Sequence, residues 1–434
     1  MSARANLPAA LTVLAAAILA AGFAPQTAAA QENSEAVPYA EAQRHFHGGD
    51  PAAALDVLRK ARQGDPESPP AEVTLARWSA AVGDIASERY WLDRAVVAAP
   101  EDAEALLVLA DAALLAGQIT EAAVLCEQAE ALAAGEGSRA RNLRARAHGG
   151  LAAVARQRGD HAAMAQHLEA LLAIRPEDAP ALRLRASMHF REGQIDEAVE
   201  RLEAAAAADP DVPVGEALLA QLYQERGDRA NAGKQMTAAL TAHPRHLPTR
   251  LAAAEWSLAT GQFDQARRQA ELALQLDPES RPARRLRGLA AFAVQDFPAA
   301  ESDLAAVLAE SPADFTAAQY LAKALAEQDD DAKRRRAVEY GEVLFRQYPQ
   351  SGEAAAAHGW ALYRSGRIDD AERVLSAAAE GAAPTRDGAF LMARIHLDRG
   401  RRAEARTFLE FSLTAPGPFW REPQARALRL ELAQ

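Results

Sequence analysis

The chain has 434 residues, 49% of them apolar, and a formal net charge of −12. That length admits two or three globular domains or one extended array, and the acidity excludes a protein organised around a basic nucleic-acid face. A single cysteine, Cys126, excludes an internal disulfide; it lies in an apolar helical run, which predicts buried packing rather than reactivity.

In chain order, residues 1–30 stand apart. Arg4 supplies a positive start, Leu7 to Ala24 an apolar stretch, and Ala28-Ala29-Ala30 a small-residue cleavage signal before Gln31. This order predicts a secretory signal peptide and a periplasmic or secreted mature chain. Retention as a membrane anchor is the alternative, against which Gly22 and Pro25 interrupt a stretch of minimal spanning length. No cysteine near the cleavage point offers a site for lipid. No later apolar stretch is long enough to cross a bilayer.

From residue 35 onward a period takes over. Turn glycines recur every 34 residues, at Gly49, Gly83 and Gly117, then Gly159, Gly193, Gly227 and Gly261, then Gly366 and Gly400. Five residues after them come small residues such as Ala54, Ala122, Ala198 and Ala232, and 17 residues after them prolines such as Pro66, Pro100, Pro176 and Pro210. Within residues 213–246, Pro213 is expected to open a helix. Leu218, Leu219, Leu222 and Tyr223 form its apolar stripe, and Gly227 ends it. A second helix then runs to about Ala242, before Pro244. Ala220 and Ala232 are small enough for the two helices to touch. The same small residue recurs at the first crossing, as Ala76, Ala110, Ala152, Ala186, Ala254, Gly288, Gly359 and Ala393. A fixed period of this kind predicts stacked helical hairpins, each burying its apolar face against its neighbours.

Two steps are irregular. Gly117 to Gly159 is longer by the segment around Gly135-Glu136-Gly137-Ser138, which predicts an insertion at 137–144 and a bend between three repeats and eight. Pro312 to Pro349 is longer too, with Asp329-Asp330-Asp331 and Lys333-Arg334-Arg335-Arg336 read as a solvated helix start. The resulting organisation is repeats one to three over 35–136, an insertion over 137–144, repeats four to eleven over 145–419 and a capping helix over 420–434.

A 34-residue helix–turn–helix unit with these small residues, a turn glycine and a closing proline resembles the tetratricopeptide repeat (TPR) family. The resemblance runs over residues 35 to about 419 and implies an all-α, right-handed superhelical solenoid of about eleven repeats. It also implies that the first helix of each repeat lines a concave groove that binds a protein segment. Counting from each turn places Arg77, Arg183, Arg191 and Gln221 on that wall, followed by Leu251, Glu255 and Arg285. Leu289, Phe292, Trp360 and Arg394 complete it, with Leu251, Leu289 and Phe292 expected as an open apolar floor. The Lys/Asn clamp with which some TPR adaptors hold acidic C-termini is not reproduced.

Catalytic motifs are missing: there is no phosphate loop, nucleophile elbow, His-Glu-x-x-His or cysteine pair. His45 and His47 would point to different helix faces, and His243 and His246 straddle Pro244, so both pairs read as turn residues rather than metal ligands. No cofactor and no metal are expected. The expectation is a non-catalytic adaptor with a protein partner and no nucleic acid. The alternative is the periplasmic TPR component of an envelope polysaccharide synthesis or export machine, because Phe419 and the helix after the last repeat resemble tails found in that group. Mass spectrometry of the native protein is expected to find Gln31 as the N-terminal residue; an N-terminus at Met1 or Ser2 would overturn the export reading.

Overall fold

The computed structural model describes residues 37–65, 68–381, 385–415, 419 and 421–433. The leader read at residues 1–30 lies outside them, as does Trp420. Among the described residues there are 23 α-helices and no strand. They divide at Pro210 and Asp211 into two compact blocks.

The N-terminal block holds five antiparallel pairs. They are α1 (Val37–His47) with α2 (Pro51–Gly64), α3 (Ala71–Ala81) with α4 (Ile85–Ala98), and α5 (Ala103–Leu115) with α6 (Ile119–Leu132). Then come α7 (Ser138–Arg158) with α8 (His161–Ile174), and α9 (Ala179–Glu192) with α10 (Ile195–Ala208). The C-terminal block adds α11 (Gly215–Glu225) with α12 (Arg229–Ala242), α13 (Leu247–Ala259) with α14 (Phe263–Leu276), and α15 (Arg281–Ala293) with α16 (Phe297–Glu310). It continues with α17 (Phe315–Glu327) and α18 (Asp331–Gln347), α19 (Gly352–Arg364) and α20 (Ile368–Gly381), and α21 (Arg386–Asp398) and α22 (Arg402–Thr414). A last helix, α23 (Glu422–Ala433), covers α22 with Ala425, Leu428 and Leu432 buried. Pro213 lies just outside its helix, since Val214 is the N-cap of α11.

The Gly-Asp turns do two jobs at once. Gly49, Gly83, Gly159 and Gly227 all have φ between 72° and 83°, a region that costs other residues about 1–2 kcal/mol. The following N–H then reaches back to close the first helix, as from Asp84 to the Ser79 carbonyl at 2.9 Å. The aspartate next caps the second helix: Asp84 accepts from the Ser87 N–H and Asp160 from the Ala163 N–H, both at 3.0 Å. At the turn of the eighth pair no glycine is present, and Gln295 takes the same conformation with φ 66°. Packing of α15 on α16 therefore dictates the left-handed turn even where the residue resists it.

The crossings are as close as the small residues suggest. Ala54, Ala122, Ala198, Ala232, Ala266, Ala371 and Ala405 are wholly buried, as are Ala95, Ala129, Ala205 and Ala273. A Cβ on Gly288 would lie 2.9 Å from Leu304 Cγ, and one on Gly150 would lie 2.5 Å from the sulfur of Cys126. Cys126 is accordingly buried packing, its thiol pushed up to about 12 by burial. Gly341 is the least yielding case, because its Cβ would meet the backbone Cα of His358 at 2.7 Å.

The long step between Gly117 and Gly159 does not form a separate insertion. Residues 138–144 are the first turns of α7, a 21-residue helix that packs on α5, α6 and α8. The stretch carries strong helix formers and no proline, so it extends the helix instead of interrupting the stack. Arg144 donates to the carbonyls of Ala133 and Gly135 (3.0 and 2.8 Å), pinning the preceding turn to that helix. The break between compact blocks falls two pairs later. The charged run at 329–336 is a helix start: Asp330 accepts from the N–H groups of Ala332 and Lys333 (2.8 and 3.0 Å).

Gly341→Ala is expected to destabilise by about 1–3 kcal/mol through overpacking against a backbone that cannot yield, despite a helix-propensity gain of up to ~1 kcal/mol. Gln295→Gly is expected to stabilise by up to about 1 kcal/mol by relieving the left-handed strain. Chemical denaturation of both variants checks the pair, and an unchanged midpoint for Gly341→Ala would contradict the crossing geometry.

Candidate partner-binding surface

Within each block the helices are not equivalent. First helices touch successive first helices, from α3 to α5 to α7 in the N-terminal block and from α11 through α21 in the C-terminal block; no successive second helices pack comparably. Helices that approach on one side only make the stack curve, with the first helices on the inner wall. Stepping six residues back from each turn runs along that wall, through Arg77, Asp111 and Ser187 in one block and Gln221, Glu255, Leu289, Trp360 and Arg394 in the other.

In the N-terminal block the wall is an ion-pair network. Arg77 reaches Glu104 at 2.6 Å, Arg62 and Arg139 reach Asp102 at 2.6 and 2.9 Å, and Arg146 reaches Asp111 at 3.0 Å. Burial opposes the charge on Asp102, but hydrogen bonding by Arg62 and the charge of Arg139 outweigh it, so its carboxyl titrates below the usual range. Asp111 goes the other way. Desolvation raises it in spite of Arg146, although half of its side-chain surface is accessible, the signature of a group on a concave wall with protein on several sides. Arg77 is thus committed within the chain, Arg183 is half-buried, and Arg191 is exposed.

In the C-terminal block α11, α13 and α15 present the more open stretch. Gln221, Leu251 and Arg285 are partly exposed and Glu255 is exposed. Desolvation nevertheless raises the Glu255 carboxyl, with Arg285 only partly offsetting it. Arg285 itself pairs with Asp314 at 3.1 Å. It borders an open cleft of about 470 Å³ at the N-terminal ends of α15 and α17, with Arg281, Asp314, Phe315 and Thr316. The expected apolar floor is corrected here. Leu289 and Phe292 are buried in the core, Phe292 edge-on to Tyr320 at 5.1 Å, because α15 turns that stripe toward its own partner helix and α17. Only Leu251, partly buried, retains open surface.

Further along, α17, α19 and α21 pack closely and the wall closes on itself. Trp360 is buried, stacked on Phe390, and donates from Nε1 to Glu327 at 2.9 Å. Arg394 is half-buried beside Tyr363. Three residues here escaped the sequence reading: Lys323, buried and paired with Asp387 at 2.5 Å; Glu327; and Arg421, which pairs with Glu327 at 2.7 Å. The signal for the first existed. One period beyond Gln295 is residue 329, and six back is Lys323, but with no glycine at either turn the count loses its anchor. Arg421 lies beyond the period altogether.

His243 and His246 cap neighbouring helices as expected of turn residues, whereas His45 and His47 lie in the last turn of α1. His246 pairs with the Thr249 hydroxyl at 2.9 Å at the start of α13, and no group of three or more His, Cys, Asp or Glu side chains converges on a metal position among the described residues. No helix among them is long and apolar enough to cross a membrane.

Tetratricopeptide repeat family models match residues 155–222 and residues 84–137, 251–315 and 356–419, together more than half of the chain. The chain belongs to the tetratricopeptide repeat family, whose fold is a protein–protein interaction scaffold. Among solved structures it is similar to a tetratricopeptide repeat protein from Parabacteroides merdae (18% identity, 59% of this chain and 99% of that one, TM-score 0.46). It is similar also to yeast Tom70 (13%, 93% and 96%, 0.36) and a thermophilic TPR protein of Thermus thermophilus (19%, 43% and 97%, 0.37). No curated protein matches the chain significantly.

The two kinds of carboxylate predict opposite pH dependences. Glu255, raised in the folded state, costs stability at neutral pH, and that cost vanishes as pH falls through its raised value toward the unfolded value of about 4.3. Asp102, lowered in the folded state, contributes stability above its unfolded value of about 3.9 and loses it as pH falls below that. Thermal unfolding of Glu255→Gln is expected to show a higher Tm than the parent at pH 7 and no difference near pH 4. Asp102→Asn is expected to lower Tm at pH 7, with the deficit shrinking below pH ~3.9.

Proposed function

We propose that the protein is an exported, non-catalytic adaptor that holds an extended segment of a partner protein along the inner wall of α11, α13 and α15. The observation that carries this reading is Glu255. Its carboxylate stands on the accessible wall, is desolvated enough to be raised, and has no ion-pair partner within 4 Å among the described residues. A chain that only needed to be stable would gain by neutralising it. Retained, it suits a partner segment that brings a cation, with Leu251 beside it for an apolar anchor and Gln221 for a main-chain hydrogen bond. Arg4, the apolar stretch and the Ala28–Ala30 signal support delivery to the periplasm.

Replacing Gln221, Glu255 or Arg285 singly with a photo-crosslinking residue, and irradiating intact cells, is expected to trap the same protein from all three positions. Lys234, exposed on the second helix α12, serves as the outer-face control and is expected to trap nothing. Equal capture from Lys234 would move the partner to the convex side and overturn the reading.

A further inference from the structure

The wall formed by α17, α19 and α21 is not empty: the chain's own tail is seated in it. Phe419 is buried, 5.9 Å from the ring of Phe390 and beneath the Arg386 guanidinium at 4.8 Å. Two residues on, Arg421 lies with its guanidinium 3.9 Å from the centre of the Trp360 ring and donates to Glu327, 94 residues earlier in the chain. The receiving groups are held in advance. Trp360 donates to the same Glu327 oxygen at 2.9 Å, and Arg364 lies 3.6 Å from the other one. A flat indole face with a carboxylate fixed at its edge is what a planar guanidinium recognises, through stacking and charge-assisted hydrogen bonding together. The fit is also incomplete: Nη2 of Arg421 is buried with no hydrogen-bond partner among the described residues, so the resident arginine leaves one of its donors unsatisfied.

We propose that the inner wall of α17, α19 and α21 is a receptor for a segment carrying an aromatic residue and, two positions later, an arginine. Phe419 and Arg421 are its internal ligand, and a partner bearing the same spacing binds by replacing them. This site is separate from the open stretch around Glu255 and stands without it. The occupant is defined by chemistry: the aromatic side chain takes the Phe390 and Arg386 position, and the guanidinium takes the Trp360 and Glu327 position. Lysine would not substitute, since a compact ammonium forfeits the planar stacking.

The test uses the full chain and a labelled synthetic peptide of residues 415–426. The peptide is expected to bind the Phe419→Ala/Arg421→Ala variant at least about tenfold more tightly than the parent, whose site is occupied. The same peptide with its arginine replaced by lysine is expected to bind at least about tenfold more weakly, and adding Glu327→Gln to the variant is expected to weaken the arginine peptide through loss of the charge-assisted hydrogen bond. Circular dichroism confirms that the variant is folded; should the double change unfold the last pair, Arg421→Ala alone vacates the Trp360 and Glu327 position and is expected to show a smaller gain over the parent that still requires the peptide's arginine. Failure of the peptide to bind a folded, vacated variant, or equal binding to variant and parent, overturns the proposal. Loss of crosslinking at Glu255 would leave it standing.

Discussion

The array rests on antiparallel helices being able to approach until side chains of one carbon, or none, are all that separates them. Each pair closes at positions such as Ala198, Ala232 and Gly288, where nothing larger fits. Dispersion contacts at that distance are individually small and collectively large, and a single added methyl forces the backbone to move. The approach also fixes register. Because the helices can slide only as far as the small residues allow, most first helices present the same position, six before the turn, to the inner wall, Leu289 of α15 being a covered exception.

From that register follows the distribution of charge. The inner wall of the N-terminal block is paired off within itself, Arg77, Arg139 and Arg146 being spent on Asp102, Glu104 and Asp111. In the C-terminal block the wall changes character along its length, open and unpaired at Glu255, closed and aromatic at Trp360. One repeat sequence, varied at its inward positions, thus yields two surfaces of different chemistry three repeats apart. The scaffold leaves those positions free to vary because the small-residue crossings do not involve them.

The hairpins and their turns were legible in the sequence because their causes are local and repeated. A glycine that must turn left and an alanine that must cross leave the same mark in almost every repeat, and a capping aspartate joins them in about half. The exceptions share a reason. Gln295 occupies a glycine's conformation because packing forces it, and the segment before Leu143 became helix because nothing in it stops one. Leu289 and Phe292 were assigned to the wall by counting, yet counting gives an angle around the helix and not the depth at which a neighbour covers it; for Phe292, Tyr320 and Arg421 supply that cover. Contacts as distant in sequence as Arg421 with Glu327 leave no periodic trace.

The bond between Lys323 and Asp387 carries one more implication. It joins the first helix of the ninth pair to the first helix of the eleventh, passing over the tenth, and Lys323 is buried where it does so. In a stack held only by adjacent contacts, terminal repeats fray one at a time. Here the eleventh pair cannot detach without stranding a buried ammonium, whose exposure to an apolar surrounding without its counter-charge is strongly unfavourable. The last three pairs are thereby coupled into one cooperative element, so that the end of the array, ordinarily its softest part, opens as a block or not at all.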